Sequence, residues 1–161
     1  MSTTLQDTIQ KEIVVGAPRE RVYSALTDAG QLAQWFPDKV EGKVEPGERP
    51  VFDFGPYGRH SVYVVATDPY SYVAYRWIPG SVHVPDGFVG DVLKEPNTLC
   101  EFHLEEVPEG TRVRLVESGF SSLPQEFYAK SIEDNTGGWD VMIYRLKTFA
   151  ETGTAVSPPK G

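Results

Sequence analysis

The sequence predicts an α+β protein: one curved antiparallel β-sheet wrapped around a single long C-terminal helix, with two short helices between strands 1 and 2. Three observations predict it. An alternating segment near the start leads into two short amphipathic stretches. About six β-branched or aromatic segments then follow with no helical pattern between them. Strands joined this way pair antiparallel, because a parallel pair needs a crossover of a dozen or more residues. A helical stripe then runs through most of the remaining chain, and such a stripe is buried against another element, here the sheet.

The elements follow in order. "TIQKEIVV" alternates Ile9, Lys11, Ile13 and Val15 against polar neighbours and reads as a strand. In "APRERVYSALTD", Pro18 suits a first helical turn and Val22, Leu26 and Ala29 share a face. "DAGQLAQWF" starts a second helix: Asp28 and Gln31 have capping-box spacing, and Leu32, Trp35 and Phe36 fall at i, i+3, i+4. "KVEGKVEP", "RPVFDFG", "RHSVYVVATD" and "SYVAYRWI" are strands bounded by Gly, Pro, Asp and Asn. "TLCEFHLEEV" and "TRVRLVESG" flank the turn "PEG" and form a hairpin. Its inward face carries Cys100, Phe102 and Leu104, then Val113, Leu115 and Glu117, whereas Arg76 and Arg114 alternate outward.

The last helix is expected from about Ser122 to Glu151, with Ser122 and Gln125 as a capping-box pair and Pro124 in the first turn. Tyr128, Ile132, Trp139, Ile143, Leu146 and Ala150 make its stripe, interrupted by Thr136. Gly137 and Gly138 sit in the middle, where each costs about 1 kcal/mol relative to alanine. The stripe keeps phase across them, which favours one helix over two; the alternative is a helix ending near Asn135 with a second after a glycine cap. Small residues here either shape a hollow beside the sheet, with Trp139 as its wall, or make room for a bulky sheet aromatic such as Trp77.

Composition narrows the functional classes. With 161 residues, 40% hydrophobic and 24% charged, the chain is sized for one domain with a real core. Residues 1–7 and 152–161 are expected to be flexible ends around a single domain at 8–151. A net charge of −8 with scattered Lys and Arg argues against nucleic acid as a partner. A lone Cys100, no signal peptide and no spanning segment point to a reducing cytoplasmic setting without membrane insertion. His60, His83 and His103 share no metal-ligand spacing, so neither a metal nor a cofactor is expected. Patterns for nucleophilic hydrolases, dinucleotide binding and P-loops are absent, and Cys100 has no basic neighbour to activate it.

The phrases "APRERVYSALTDAGQLAQWF", "VAYRW", "GTRVRLVESGF" and "GGWDVMIYRLKTF", in that order, make residues 8–151 resemble the SRPBCC (START-like, helix-grip) superfamily. Within it the chain is similar to the activator of heat-shock-protein-90 ATPase homologue-like family, in its stand-alone bacterial form. The resemblance implies a helix-grip fold with a hollow between sheet and final helix. One departure is "PGSVHVPDGFVGDVLKEPN" at 79–97, where the family has a short connection. "VHVPDGFV" there reads either as a small extra hairpin or as an idle insertion.

The inward aromatics and the hollow together give the expected ligand-binding set: Trp35, Phe36, Phe54, Tyr63, Tyr75, Trp77, Phe102, Glu117, Tyr128, Gly138, Trp139 and Met142. Phe52 is expected inward too. Glu117 is either a carboxylate near the hollow, needing a cation or a raised pKa, or a strand end in solvent. The expected function is binding of a hydrophobic small molecule, a lipid or an aromatic metabolite, with no catalytic residue assigned. The resemblance implies two alternatives. One is a chaperone-ATPase cofactor, a doubtful partner because the first strand starts near residue 8 and leaves no room for the co-chaperones' extra N-terminal domain. The other is a cyclase-like enzyme using Glu117 with Tyr63 or Tyr75. A homodimer is compatible with the sequence, which places no interface.

Overall fold

The computed structural model describes residues 6–79 and 91–159. Seven strands form one antiparallel sheet: β1 (Thr8–Val15), β2 (Lys39–Glu41), β3 (Val51–Asp53), β4 (Arg59–Asp68), β5 (Tyr72–Trp77), β6 (Thr98–Val107) and β7 (Gly110–Ser118), in the order β1-β7-β6-β5-β4-β3-β2. Helices α1 (Arg19–Thr27) and α2 (Ala29–Trp35) lie between β1 and β2, and α3 (Gln125–Thr152) closes the fold. The sheet is bent: β4 pairs through Arg59–Ser61 with β3 and through Val62–Asp68 with β5, and its register slips between Val64 and Ala66. A bulge of this kind bends and twists a strand. The expected architecture is the one observed, including a single helix across Gly137 and Gly138.

Local chemistry sets the boundaries. Asp28 caps α2 by accepting from the Gln31 amide at 3.0 Å, as its spacing predicts. The Ser122–Gln125 box does not form. Pro124 is the N-cap of α3 with no side-chain cap, and the Ser122 hydroxyl donates to the Gly119 carbonyl at 2.7 Å within a 3-10 turn, Phe120–Ser122. Proline forces the residue before it out of helical backbone, so the helix starts after it.

Both ends of the described chain make defined hydrogen bonds. The Asp7 carboxylate accepts from the Ser121 hydroxyl at 2.5 Å and from the amides of Ser121 and Gly119, and these bonds lower its pKa. Gly153, in left-handed backbone (φ 85°), ends α3 and turns the chain back, so that the Val156 amide donates to the Thr148 hydroxyl at 2.9 Å. The hairpin or idle stretch read in "VHVPDGFV", and His83, lie outside the described residues. The end of that insertion forms a 3-10 turn, Val92–Lys94, with Asp91 paired to Arg49 at 2.9 Å.

The β6–β7 turn fixes how β1 leaves the sheet. Gly110 has φ +138°, and a Cβ there would meet the Ala17 amide nitrogen at 2.8 Å and the Val15 carbonyl oxygen closer still. Next to it the buried Thr111 hydroxyl donates to the Ala17 carbonyl at 2.7 Å. Gly110→Ala is therefore expected to destabilise the protein by at least about 2 kcal/mol, combining an unfavourable backbone conformation with a backbone clash. Urea unfolding with an unchanged m-value measures it.

Candidate functional site

Five strands contribute one inward row: Val64 of β4, Tyr75 of β5, Cys100 of β6, Glu117 of β7 and Ile9 of β1 stand opposite one another in register. One step along, Val62, Trp77 and Thr98 form the neighbouring row. The alternation of strand side chains therefore sets Glu117 diagonally beside Trp77 and Thr98, facing α3. Glu117 is fully buried. Its Oε1 accepts from Trp139 Nε1 at 2.7 Å and Asn135 Nδ2 at 3.0 Å. Its Oε2 accepts from Thr98 Oγ1 at 2.6 Å, Trp77 Nε1 at 3.0 Å and Asn135 Nδ2 at 3.0 Å.

A carboxylate has about four lone-pair sites, and these contacts take them up. The expectation of a cation or solvent at Glu117 is thus corrected: two indoles, a hydroxyl and an amide, all neutral, surround it. The same geometry leaves no lone pair of Glu117 open to a ligand. The neighbouring groups stay protonated. Burial and then Glu117 push the Cys100 thiol well up, which makes it unreactive, and burial does the same for the Tyr75 phenol. Among the described residues the Tyr75 hydroxyl has no oxygen or nitrogen partner; the Cys100 thiol is its polar neighbour.

In front of this carboxylate a cleft of about 550 Å³ opens between sheet and α3. Phe36, Phe54, His60, Trp77, Ile78, Asp134, Asn135, Gly138, Trp139 and Met142 line it. Phe36, delivered by the end of α2, organises the aromatics. Its ring lies 5.3 Å from Phe54, 5.7 Å from Trp77 and 5.4 Å from Trp139, and it stacks on Trp35 at 5.1 Å. Gly138 lines the cleft, and a Cβ there or at Gly137 would touch nothing within 4 Å. The glycines therefore do not admit a close sheet aromatic. At Gly138 the missing side chain leaves the cleft open.

Of the twelve expected site residues, six line the cleft: Phe36, Phe54, Trp77, Gly138, Trp139 and Met142. Glu117 stands behind the wall made by Trp77, Asn135 and Trp139. Trp35, Tyr75 and Phe102 are core; the Trp35 indole donates to the Ala25 carbonyl at 2.8 Å. Tyr63 and Tyr128 pack partly buried against the core and are not in the cleft lining. Tyr63 stands opposite Arg76, out of phase with the buried Val62 and Val64, and carries the Arg49 guanidinium 4.8 Å above its ring. Tyr128 lies near the start of α3 and donates to the Gln6 carbonyl at 2.7 Å.

His60, Ile78, Asp134 and Asn135 were not among the expected residues. His60 precedes Val62 and Val64 on the same strand face, and Asn135 lies one helical turn before Trp139, so periodicity could have found both. His60 Nδ1 is 3.3 Å from the Ile78 carbonyl oxygen, and burial lowers its pKa. Among the described residues no group of three or more His, Cys, Asp or Glu is placed to hold a metal ion, and no helix is long and apolar enough to cross a membrane.

Two predictions follow from this geometry. Glu117→Gln puts an amide donor where donors already converge, so at least one buried indole or hydroxyl loses its acceptor. It should cost on the order of 3 kcal/mol in urea unfolding and shift the emission of the buried tryptophans. For His60, a folded pKa below the ordinary 6.5 means the unfolded chain binds the proton more readily. Its contribution is full above the unfolded value and is lost as pH falls below it toward the folded value. The stability difference between wild type and His60→Phe should therefore shrink in wild type's disfavour as pH is lowered from 8 to 5, read by unfolding at each pH.

Comparisons with known proteins agree with this fold. A search of curated proteins returns no match. Among solved structures, DynU16, from the dynemicin biosynthetic locus, superposes with a TM-score of 0.74 at 23% identity over 96% of this chain. The chain spans about half of DynU16, 51% of its length. The Aha1 dimer from Colwellia psychrerythraea gives 0.70 at 24% identity, covering 92% of this chain and 98% of that one. Protein BH1534 from Bacillus halodurans gives 0.68 at 24%, covering 91% and 98%. At these identities the likeness concerns the fold. The sequence comparison reaches further: residues 16–151 match the family described as activator of Hsp90 ATPase homolog 1-like protein, and the chain belongs to that family.

Proposed function

We propose that the protein binds a hydrophobic small molecule, aromatic or lipid-like, in the cleft between sheet and α3, and holds it without turning it over. The observation that carries this reading is the lining. Phe36, Phe54, Trp77, Ile78, Trp139 and Met142 supply most of it, and a few polar groups stand among them. Small-molecule sites typically combine apolar and aromatic walls with a few placed polar atoms, in volumes of roughly 300–1,000 Å³. Burial of apolar area at about 25 cal/mol per Å² would supply the affinity. The saturation of Glu117 by protein donors supports binding over catalysis, since it leaves that carboxylate no open lone pair for an occupant.

The family description favours a second reading, a partner of an Hsp90-type chaperone ATPase. Mixing with a bacterial chaperone and following its ATPase rate decides that one. As part of the main reading, the dimeric Colwellia relative supports a homodimer.

Gly138→Leu tests the cleft. Its Cβ meets nothing within 4 Å, its branch extends into the recess, and it replaces a mid-helix glycine, so the melting temperature should stay level or rise, reflecting a helix-propensity gain of roughly 0.5–1 kcal/mol. Binding of the neutral fluorophore N-phenyl-1-naphthylamine should weaken at least about ten-fold, since overpacking a site costs 1–3 kcal/mol and each 1.4 kcal/mol is a factor of ten. Undiminished probe binding by the folded variant would refute the cleft as the site.

A further inference from the structure

We infer that the cleft selects neutral aromatic molecules that carry a hydroxyl, and rejects carboxylates and other anions; this rests on the cleft reading above. A census of the polar atoms around the cleft carries the inference. The lining aromatics own two N–H donors, the indoles of Trp77 and Trp139, and both are directed at Glu117. Asn135 brings an amide. A carboxylate only accepts, so the two 3.0 Å contacts to Glu117 fix the Asn135 nitrogen toward it and leave the Oδ1 oxygen over. That oxygen makes no hydrogen bond among the described residues.

His60 repeats the pattern. The Ile78 carbonyl is an acceptor, so the proton of a neutral ring sits on Nδ1 and Nε2 keeps its lone pair. Burial favours that neutral ring. Nε2 has no partner among the described residues. The ring is held by Phe54, edge-on at 5.3 Å, and by Trp77 at 6.1 Å. Asp134 adds a carboxylate to the lining, 3.4 Å from Lys130.

The lining indoles thus spend their N–H donors on Glu117 and His60 spends its own on the backbone, which leaves Nε2 of His60 as an acceptor; Asn135 meets both Glu117 oxygens through one N–H and keeps its Oδ1 and its second N–H. Among the described residues no Lys or Arg lines the cleft. An occupant with an O–H answers Nε2 of His60 or Oδ1 of Asn135. A molecule with only acceptors leaves Nε2 of His60 unpaired, and an anion meets that lone pair with the Glu117 carboxylate behind the wall. A phenol or enol on a planar ring fits both the aromatic walls and this polarity.

The test uses three pyrenes of one shape in fluorescence titrations of the full chain: 1-hydroxypyrene, 1-methoxypyrene and pyrene-1-carboxylate. The hydroxyl compound should bind on the order of ten-fold tighter than the methoxy compound, with the carboxylate weakest. His60→Phe should abolish the preference, so that the hydroxyl and methoxy compounds bind with equal affinity. Gly138→Leu should weaken all three. Equal affinities for the hydroxyl and methoxy compounds, or a carboxylate that binds best, overturn the donor rule; if Gly138→Leu still removes binding, the cleft reading survives that result. Selectivity that persists in folded His60→Phe overturns the role of His60. Binding of no pyrene, or binding indifferent to Gly138→Leu, overturns both readings. The wild-type ranking stands whether or not the His60 variant folds.

Discussion

A carboxylate withdrawn from water has to be surrounded by hydrogen-bond donors, and the rest of this structure is arranged around that requirement at Glu117. Desolvating an ion costs several kcal/mol even after the protein relaxes. Among the described residues no cation offsets it. Four neutral side chains do, from β5, β6 and two successive turns of α3. Charge-assisted bonds of this kind are roughly twice as strong as neutral ones, and each has a defined direction. The carboxylate therefore fixes the height and rotation of α3 over the sheet more narrowly than apolar packing would. It also fixes both indole planes, which is how a wall made of Trp77 and Trp139 stands with their rings 5.7 Å apart.

That arrangement separates two jobs that a binding site often combines. Rigidity comes from behind the wall, where Glu117 gathers the donors. Recognition is left to what faces forward: aromatic surfaces, the recess at Gly138, and the unused lone pairs of His60 and Asn135. Phe36 links the two layers, because it packs on Trp35 in the core and on both cleft tryptophans. Arg145 reinforces the same corner by donating to the Trp35 carbonyl at 2.8 Å. The solved relatives share the fold that carries this arrangement.

Much of the fold was legible in the sequence, because periodicity reports which face of an element is covered. Ile9, Val15, Phe102, Val113 and Leu115 all lie on the faces their alternation assigned. The stripe through Trp139, Ile143, Leu146 and Ala150 carried α3 correctly across two glycines. Glu117 was placed inward by the same rule. What periodicity could not say was who would meet it, since Trp77, Thr98, Asn135 and Trp139 converge only through sheet register and helix docking. Asn135 and His60 were passed over because a polar residue on an inward face looks like an interruption until its partner is known. Tyr63 and Tyr128 both pack partly buried against the core away from the cleft: Tyr63 is on the strand face opposite Val62 and Val64, and Tyr128, in phase with the helical stripe, sits in the first turn of α3. The cap at Ser122 gave way to Pro124, whose ring constrains the chain more strongly than a serine hydroxyl rewards it.

The position of Glu117 on β7 also bears on the order in which the chain becomes a protein. Strands β4 to β7 follow one another as a meander and can pair as they are made, whereas β1 waits for β7 and α3 comes last. Contacts between distant segments form slowly because loop closure precedes their reward. Until α3 arrives, Glu117 has the sheet donors Trp77 and Thr98 and otherwise keeps water. The carboxylate that would be a liability in a finished core is thus a solubilising charge on the half-made sheet. Docking of Asn135 and Trp139 removes that charge from solvent in the same step that closes the domain.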